Sequence, residues 1–440
     1  MSMWEGLRGW SECTYVLQFD LKAMGDQKRR VLIVGAGPAG LMAALQATKA
    51  GAEVTVLEHS KYACMKLGLT GKGRCNITNA RPMEEFGEKV PQGYDFLRPA
   101  FAHYPNAALR RDLEMMGVPT LVERGDRVFP SNGNAQTVRR ALIGAAERAG
   151  VELLTGVKGV EVAHGDGGFT AKFIDVKGAQ RSISGDALIL ATGGMSYPST
   201  GSDGSGYALA RSFGHTVTRL CPSLVGLRVA NGLAAAAGVE LRNVKVALLQ
   251  DGVLETEEQG EVLCTRDGFE GAAILRLSRL VTTAEANKRF ELSIDFKPGL
   301  NRSKLRGRIA RERAARPHEP LSSSLRALVP ARLVLPIARR AKMPLGKGWA
   351  YLQDAEVAQL IEVLKGMRFN VVGNEGFEQA VVTAGGVSLG EVRPETLESK
   401  LVPKLYFAGE LLDVDANTGG FNLQIAFSTG ALAGANSVVG

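Results

Sequence analysis

The segment that most constrains what this chain can fold into is residues 31–58, VLIVGAGPAGLMAALQATKAGAEVTVLE. A short apolar run, residues 31–34, has the length and composition of a buried strand. Gly35, Gly37 and Gly40 follow it with the spacing G-x-G-x-x-G. The first glycine allows a sharp turn, the second lets a phosphate approach the backbone, and the third lets helix and strand pack closely. The unpaired N–H groups at the helix start then form an anion site.

The residues after these glycines complete a β-α-β unit. A helix is predicted from Pro38 to about Ala50, Gly51 ends it, and residues 54–57 form a second strand. That strand delivers Glu58, where a carboxylate accepts hydrogen bonds from both ribose hydroxyls and disfavours a 2′-phosphate. A lone G-x-G-x-x-G motif is a weak signal, but here strand, turn, helix, strand and acid occur in order. The segment therefore predicts a dinucleotide site.

Length and composition are those of an ordinary globular protein. The 440 residues are too many for one compact core and indicate two or three domains. The five cysteines form no C-x-x-C pair, which argues against a disulfide scaffold or a dithiol oxidoreductase and fits a reducing cytosol. No apolar run is long enough for a membrane span and no secretory signal precedes the first strand, so we expect a cytoplasmic protein with no membrane partner and no metal. The net charge of +8 favours anionic ligands without implying nucleic acid.

A glycine-rich basic loop, KLGLTGKGRCNITN of residues 66–79, follows the acid. Lys66, Lys72 and Arg74 make this loop electropositive. Next to a helix N-terminus such a loop suits contacts to phosphate, to ribose or to an anionic flavin ring. The alternative is a solvated basic turn, and the position of the loop directly after the acid strand favours function.

The chain continues in the same α/β style to about residue 220. Residues 135–149 are predicted to form an amphipathic helix, followed by a strand and a hairpin within residues 151–174. The run DALILATGG of residues 186–194 predicts another buried strand that ends in glycines, which lets the chain pass close to a ligand. The glycine-rich residues 200–206 lack a preceding strand, so we expect a loop over the first ligand.

Residues 221–369 differ in character and are predicted to form an inserted region. Strands are expected at residues 224–229, 244–250 and 261–264. Residues 303–313 and 321–340 are predicted to be basic helices, the second broken near Pro330 and Pro336. Their arginines suggest an RNA-binding alternative, but because aromatic residues are not interleaved with them, a solvated helical face is favoured.

The C-terminal stretch returns to the first style. Residues 405–408 are a predicted buried strand, Gly409 and Glu410 follow, and a glycine-rich run through Gly420 precedes an apolar helix. These features predict that the C-terminus folds back onto the N-terminal domain, which is then discontinuous. A second helix N-terminus leaves room for a long ligand held at both ends and would stabilise a reduced, anionic flavin. This favours FAD over NAD.

Five segments of the sequence resemble motifs of a known protein family. They are GAGPAGLMAA, GKGRCNITNA, ATGGMSYPSTGSDGSGYALAR, VTAGGVSL and ESKLVPKLYFAGELLDVDANTGGFNLQIAFSTG. They resemble the BaiN-like NAD(P)/FAD-dependent oxidoreductases, a family also named for aminoacetone oxidase, and the resemblance covers nearly all of residues 30–436. It implies an α/β fold with a Rossmann-like FAD-binding domain built from both chain ends and an inserted β-barrel plus helical domain. The expected bounds are 30–220 and 370–440 for the FAD-binding domain and 221–369 for the insert, with barrel parts at about 221–297 and 344–369 and a helical part at about 298–343. Residues 1–29 are expected to be a disordered extension.

The resemblance also implies which residues bind FAD. Those matching the ADP half are Gly35, Gly37, Ala39, Gly40 and Glu58. Those matching the loop over the ribityl and flavin region are Lys66, Thr70, Gly73, Arg74, Cys75 and Asn76. Val157 matches a backbone contact to adenine, and Ala191, Thr192 and Gly193 match the inner strand end. The cradle for pyrophosphate, ribityl and isoalloxazine is matched by Gly409, Glu410, Asp415, Thr418, Gly419, Gly420, Phe421, Asn422 and Leu423.

The sequence differs from the family pattern at four positions. Met65 stands where many members have arginine, and Lys72 where they have glycine. Arg266 and Ala272 replace the histidine and proline of the commoner form. These last two lie in the insert, so they bear on the substrate rather than on the flavin.

The residues do not reveal an acid–base pair, so the catalytic residues are unassigned. Tyr197 is a candidate to face the flavin ring or to donate a proton. A purely structural role, in which its side chain packs against its neighbours, is an equally good interpretation. Cys75 is a redox candidate beside the flavin, but without a partner cysteine a packed thiol is favoured.

These observations predict a FAD-dependent oxidoreductase that transfers hydride to or from a small organic substrate. NAD(P)H, bound transiently, or oxygen is expected as the electron partner. One alternative is an RNA-modifying flavoprotein that uses the basic helices; the other is a non-catalytic flavin-bound sensor. The oligomeric state is not predicted.

Overall fold

A computed structural model of the chain describes residues 28–439, so the extension predicted for residues 1–29 lies almost wholly outside the described part. The strands of that part are, in chain order, β1 (Arg30–Val34), β2 (Glu53–Glu58), β3 (Thr78–Asn79), β4 (Thr120–Glu123), β5 (Arg127–Pro130), β6 (Glu152–Thr155), β7 (Lys158–Gly165), β8 (Gly168–Ile174), β9 (Gln180–Gly185), β10 (Ala187–Leu190), β11 (Cys221–Ser223), β12 (Leu227–Val229), β13 (Glu240–Gln250), β14 (Val253–Cys264), β15 (Gly268–Glu270), β16 (Phe290–Asp295), β17 (Met367–Asn374), β18 (Val382–Ala384) and β19 (Leu405–Phe407). The α-helices are α1 (Pro38–Lys49), α2 (Tyr94–His103), α3 (Asn106–Met115), α4 (Ala135–Arg148), α5 (Ser205–Ser212), α6 (Ala272–Thr283), α7 (Arg302–Ala315), α8 (Leu321–Ser324), α9 (Ala331–Arg340), α10 (Asp354–Gly366) and α11 (Phe421–Asn436).

Five parallel strands form the central sheet in the order β19-β10-β1-β2-β6. The inner strands are short apolar runs because both faces of a parallel sheet are covered. In the register, Val34 lies opposite Leu57 and Leu190, and Leu190 lies opposite Phe407. The carboxyl ends of strands from both ends of the chain therefore meet at one edge, where open α/β sheets bind ligands. The prediction of a Rossmann-like domain built from both chain ends is confirmed.

Helices α1 and α11 pack directly against each other. A Cβ atom at Gly430 would lie 2.2 Å from the carbonyl oxygen of Ala39, and one at Gly434 would lie 2.2 Å from that of Ala43. No side chain fits at either glycine, so the two helices approach to backbone contact. This packing fixes the C-terminal helix beside the N-terminal glycine motif.

A closed barrel, β12-β15-β14-β13-β16-β17, forms the second part of the molecule. Its buried side chains, such as Val246 and Leu292, belong to a core separate from that of the central sheet. Helices α7 to α10 lie between β16 and β17 in the sequence, and their buried side chains Leu305, Ile337 and Leu360 join the barrel core. The predicted insert of β-barrel plus helices is confirmed. The antiparallel pair β11 and β18 lies at its two connections to the central-sheet domain.

Some elements differ from their predictions. The strand predicted at residues 224–229 is observed only in its last part, as β12; Leu224, at the start of the predicted range, has a left-handed conformation with φ of 54° and follows the separate strand β11. The second basic helix breaks before Pro330 as predicted, but the break predicted near Pro336 is wrong, since Pro336 lies inside the continuous helix α9. One missing backbone hydrogen bond is tolerated there because Leu333 and Ile337 hold the helix in the core. Helices α6 and α10 and strands β16 and β17 were not predicted.

Among residues 28–439, no single helix has the length and apolar character to cross a membrane. The segments Leu321–Ala327 and Ala331–Arg340 pass this test only as a pair, by length and composition, with a bend of 114° between them. Their apolar side chains Leu321, Leu325 and Leu333 are buried in the barrel core.

Candidate active site

A cavity of about 1060 Å³ lies at the carboxyl edge of the central sheet and extends to the barrel. This volume lies at the upper end of the range of roughly 300–1,000 Å³ that is usual for small-ligand sites, as an extended cofactor requires. Most of the predicted site residues line it, and they come from both ends of the chain, from the basic loop after β2 and from the residues after β10. They are Gly35, Gly37, Ala39, Glu58, Lys66, Thr70, Arg74, Asn76, Ala191, Thr192, Gly193, Gly409, Glu410, Thr418, Gly419, Gly420, Phe421, Asn422 and Leu423.

The start of α1 shows why the glycine motif has its spacing. A Cβ atom at Gly35 would lie 2.4 Å from the carbonyl oxygen of Ala191, and the φ of Gly35 is +103°. At Gly37, by contrast, a Cβ atom would meet no atom within 4 Å. The protein fills the space around Gly35 and leaves the space at Gly37 open. Gly37 caps α1 without a side-chain hydrogen bond, so the first N–H groups of the helix face that open space as an anion site.

The carboxylate of Glu58 is held by two backbone groups at the end of β2. One oxygen accepts from the N–H of Ala36 at 2.8 Å, and the other accepts from the N–H of Ser60 at 2.7 Å. The residue is 8% exposed and lines the cavity. These contacts fix the carboxylate where the fold places a ribose-binding acid.

The N-terminus of α11 lies on the same cavity. Gly420 caps this helix without a side-chain hydrogen bond of its own. The side-chain amide of Asn76 is oriented so that its nitrogen donates to backbone carbonyls and its oxygen accepts from the N–H of Gly420 at 3.0 Å. Asn422 binds Ala416 in both directions, donating to its carbonyl at 2.7 Å and accepting from its N–H at 2.9 Å. Asn422 therefore shapes the loop before the helix, and a second positive helix end faces the cavity.

A polar cluster joins four segments at the cavity wall. The carboxylate of Glu410 accepts from Lys66 Nζ at 2.8 Å, from Ser196 Oγ at 2.7 Å and from the N–H of Thr383 at 2.8 Å. Lys66 Nζ also donates to Ser196 Oγ at 2.6 Å. Both charged side chains are 20% exposed. Lys66 and Glu410 are far apart in the sequence, and the fold makes them an ion pair.

Arg74 is fixed on the outer part of the cavity. Its guanidinium pairs with the carboxylate of Glu123 and lies 4.3 Å from the centre of the Phe129 ring. The hydrogen bond that Arg74 donates to Glu123 raises the pKa of Arg74, and the same contact lowers the pKa of Glu123. Both groups are exposed enough that the pair orients Arg74 rather than contributing much stability.

Five predicted residues do not line the cavity: Gly40, Gly73, Cys75, Val157 and Asp415. Gly40 lets helix α1 pack closely against the turn that follows β1, since a Cβ atom there would lie 1.9 Å from the carbonyl oxygen of Gly35. The carbonyl of Gly73 accepts from the N–H of Ala135 at 2.9 Å and so ties the basic loop to α4. The Cys75 side chain is fully buried, and burial raises the pKa of its thiol to about 12. It is a packed thiol rather than a reactive one.

Val157 and Asp415 also make internal contacts. The N–H of Val157 donates to the carbonyl of Glu58 at 3.1 Å. Asp415, with a side chain 3% exposed, pairs with Arg279 of α6 at 2.9 Å and accepts from Ser223 Oγ at 2.8 Å. Asp415 therefore connects the C-terminal loop to the insert.

The opposite wall of the cavity comes from the insert and its connections, and the sequence analysis did not identify most of it. Its apolar part consists of Leu224, Leu263, Ala272, Leu275, Val381 and Val382. Its charged part consists of Glu240, Glu258, Glu261, Glu270 and Arg276. Of these residues the sequence analysis singled out only Ala272. The predicted strand at residues 261–264 contains Glu261 and Leu263, but which face of a barrel strand meets the ligand depends on how the barrel packs against the central-sheet domain.

Tyr197 lines the cavity, as one of its two interpretations required. Its φ is +53°, a left-handed conformation that is rare for a tyrosine. The N–H of Tyr197 donates to the carbonyl of Phe377 at 3.1 Å, and its carbonyl accepts from Thr200 Oγ1 at 2.7 Å. The surrounding chain thus holds a strained backbone at the site, as is common in functional loops.

The fold and the cavity place the chain in the class of dinucleotide-binding α/β proteins. Comparison with known proteins gives the family. Residues 29–436 match the family described as HI0933-like protein Rossmann domain, and the chain belongs to that family.

Two relatives are similar over almost their whole length. The chain is 33% identical over 411 residues to a 3-dehydro-bile acid delta(4,6)-reductase of Clostridium scindens, covering 92% of this chain and 98% of the relative. It is 30% identical over 402 residues to a ribosomal RNA dihydrouridine synthase of Escherichia coli, covering 90% and 95%. Its fold is similar to that of a 3-ketosteroid delta1-dehydrogenase from Sterolibacterium denitrificans, with a TM-score of 0.50 at 12% identity, covering 93% and 100%. The protein is a FAD-dependent oxidoreductase.

The site suits FAD on its own observations. The open space at Gly37, two helix N-termini on one cavity and the fixed carboxylate of Glu58 match an anionic dinucleotide with a ribose at one end.

Proposed function

We propose that this protein holds FAD between its two chain ends and reduces an electron-poor carbon–carbon double bond of a small organic substrate that lies against the barrel wall. The observation that carries the proposal is that one cavity is lined by both helix N-termini and, opposite them, by the apolar part of the insert wall. A cofactor in the first part leaves the second part for a substrate. FAD supplies the hydride chemistry when bound, and the protein orients the partners.

In this proposal each chain end has a defined task. Glu58 accepts hydrogen bonds from the adenosine ribose, and the backbone from Gly37 to Ala39 faces the pyrophosphate. The residues at the start of α11, Phe421 and Leu423 among them, lie at the flavin end, where the positive helix end favours negative charge on the ring. The ion pair of Lys66 and Glu410 holds the loop on the cavity side.

The substrate class follows from chemistry shared by two relatives. One relative is named as a delta(4,6)-reductase and the other as a dihydrouridine synthase, and both names describe hydrogen added to a ring double bond. Both double bonds are electron-poor because a carbonyl is conjugated with them. The apolar side chains Leu224, Leu263 and Leu275 fit the carbon skeleton of such a molecule. NAD(P)H is the proposed reductant and binds transiently.

The rRNA-modifying alternative draws support from the name of the second relative. The positions of the basic helices do not add to it, because several arginines are engaged within the chain. Arg302 and Arg313 of α7 pair with Glu362 and Asp354, and Arg308 donates to a backbone carbonyl. The sensor alternative is not favoured, since the relatives above are named as enzymes.

The test is anaerobic stopped-flow spectroscopy of the flavin-loaded protein. We expect NADH or NADPH to bleach the flavin absorbance, and a cyclic conjugated enone to restore it. Recovery of absorbance with uridine-containing rRNA but not with enones would replace the small-molecule proposal by the rRNA one. Absence of reduction by either nucleotide would contradict the choice of NAD(P)H as reductant, and absence of reoxidation by every unsaturated acceptor would contradict the proposed reaction.

A further inference from the structure

A second cavity, of about 360 Å³, lies between the barrel and its helical part. It is bounded by the start of β13, by the turn after β16 and by the turn before α9. Nothing in the function proposed above uses it.

Two cationic side chains, Lys297 and Arg242, line the cavity together with one carboxylate, Glu240. Lys297 lines it and is half-buried, and burial lowers the pKa of its ammonium group, with a further contribution from nearby Arg308. Within residues 28–439, Lys297 Nζ makes no hydrogen bond or ion pair. The carboxylate of Asp295 is engaged elsewhere, because Lys365 Nζ lies 2.5 Å from it and the backbone N–H of Lys297 donates to it at 2.8 Å. Among the described residues the Lys297 ammonium therefore has no direct partner, and an anionic ligand in the cavity would supply one.

The other walls suit the anionic end of an organic molecule. Arg242 and Asn243 add a second cation and an amide at the rim, while the buried side chains Phe296 and Leu328 form apolar walls. Two cations beside apolar walls attract a bound anion, because the walls screen the charges less than water does.

The second cavity adjoins the main one at a single residue. Glu240 lines both, and it is the carboxylate residue of the second cavity's lining. The neighbouring carboxyl group of Glu240 raises the pKa of Glu261, a residue of the main cavity. The two cavities are therefore adjacent at Glu240.

We propose that the second cavity is an anion subsite for a phosphate or carboxylate group carried by a ligand whose reacting end occupies the main cavity. The proposal rests on the function proposed above for the identity of that reacting end, but the anion subsite itself does not require turnover. Lys297 and Arg242 bind the anion, and the apolar walls hold the adjoining carbon skeleton. Two sources share this chemistry: the phosphate of the nucleotide reductant and an acidic group on the substrate.

The first test is calorimetric titration of the flavin-loaded protein with inorganic phosphate at low ionic strength. We expect saturable binding that K297Q weakens by about tenfold or more, since one charge at contact distance is lost. R242Q should weaken it less, because Arg242 is exposed. The matched control is K177Q, which removes an exposed lysine from the β8–β9 turn, and it should bind phosphate as the wild type does. An isotherm of K297Q equal to that of the wild type overturns the proposal, as does absence of phosphate binding.

The second test identifies the source of the anion by steady-state kinetics. If the substrate carries it, K297Q raises KM for an enone carboxylate and leaves KM for its methyl ester and for NADPH unchanged. If the reductant carries it, K297Q raises KM for NADPH and leaves the enone values unchanged. An unaltered KM for all three compounds in an active K297Q enzyme overturns the subsite. If no compound turns over, the proposed reaction has failed, and the phosphate titration alone decides the subsite.

Discussion

Gly35 and Gly37 belong to the same glycine motif, but their surroundings in the structure differ. Gly35 has protein atoms where a Cβ would be, whereas Gly37 has open space. We expect G37V to fold with a free energy of unfolding close to that of the wild type, since the φ of −75° at Gly37 suits any residue. It should lose FAD binding, because the valine occupies the space of the pyrophosphate. Flavin content and thermal unfolding of the apo-proteins measure both effects.

G35A is the matched control for that variant. Its methyl group would clash with the Ala191 carbonyl, and a positive φ for alanine adds strain, so we expect a loss of about 1–3 kcal/mol in the free energy of unfolding. A G37V protein that is as destabilised as G35A, or that binds FAD normally, would contradict the assignment of Gly37 to the cofactor.

Glu410 is the residue on which four segments converge. In E410Q the amide would place N–H groups near Lys66, which is itself a donor. We expect a loss of about 1–3 kcal/mol in stability, from weakened hydrogen bonds to a charged group, together with weaker FAD binding. Urea unfolding and flavin titration measure these changes. E395Q, which changes an exposed glutamate, should show neither, and an unchanged E410Q would refute the role of the cluster.

At the scale of elements, contact between α1 and α11 sets the positions of two helix N-termini. G434A inserts a methyl group 2.2 Å from the Ala43 carbonyl oxygen, so the helices must separate. We expect a loss of about 1–3 kcal/mol in stability and reduced FAD affinity. G144A in α4 is the control with the opposite sign: its methyl group meets only the flexible end of Arg148, and it should stabilise the protein by about 0.5–1 kcal/mol. Equal stability of G434A and the wild type would contradict this packing.

A buried histidine makes the stability depend on pH. The side chain of His215 is 0% exposed, with Ser399 Oγ at 2.8 Å and Glu391 at 3.2 Å from its ring nitrogens. Burial lowers the pKa of His215 despite the neighbouring carboxylate. The unfolded chain, in which histidine titrates at about pH 6.5, therefore binds the proton more readily. Stability conferred by this residue is present above that pH and is lost as the pH falls toward the folded pKa.

The measurement is the free energy of unfolding at a series of pH values between 7.5 and about 5, where one proton gives a slope of at most about 1.4 kcal/mol per pH unit. H215Q removes the titrating group and should show a shallower decrease on acidification. A steeper decrease in H215Q than in the wild type would show that His215 is not the source.

The elements that were predicted correctly are those whose residue pattern lies within one short segment of the chain. The strand before Gly35, helix α1 and the strand ending at Glu58 follow from apolar runs and glycine punctuation within one segment. Helices α6 and α10 were not predicted, although both have buried apolar faces, because the short apolar runs around them favoured strands in this part of the chain. The left-handed conformation of Leu224 could not be predicted, because residues with a side chain such as leucine rarely adopt it.

The same distinction holds for the site. Residues such as Glu58 and Glu410 could be named because motifs carry them. The partnership of Lys66 with Glu410, and the wall formed by Leu263 and Leu275, depend on how distant segments come together. Periodicity identifies a strand of the barrel but not the ligand that it faces.

At the scale of the whole molecule, a buried ion pair connects the insert to the C-terminal loop. Arg279 of α6 binds both oxygens of Asp415 at 2.9 Å, and Ser223 donates to the same carboxylate. R279Q would leave a buried carboxylate without its counter-charge, so we expect a loss of about 3–5 kcal/mol in stability. S223A removes one hydrogen bond and should cost about 1 kcal/mol. Denaturant unfolding ranks the two variants, and a smaller effect for R279Q than for S223A would contradict this connection.

The central claim is that the two ends of the chain together hold one FAD. Its most direct measurement is the absorption spectrum of the purified protein, followed by release and identification of the cofactor, for the wild type and G37V in parallel. The account predicts a yellow wild-type protein that releases one FAD per chain and a folded G37V protein without colour. A wild-type preparation that stays colourless after incubation with excess FAD would contradict it.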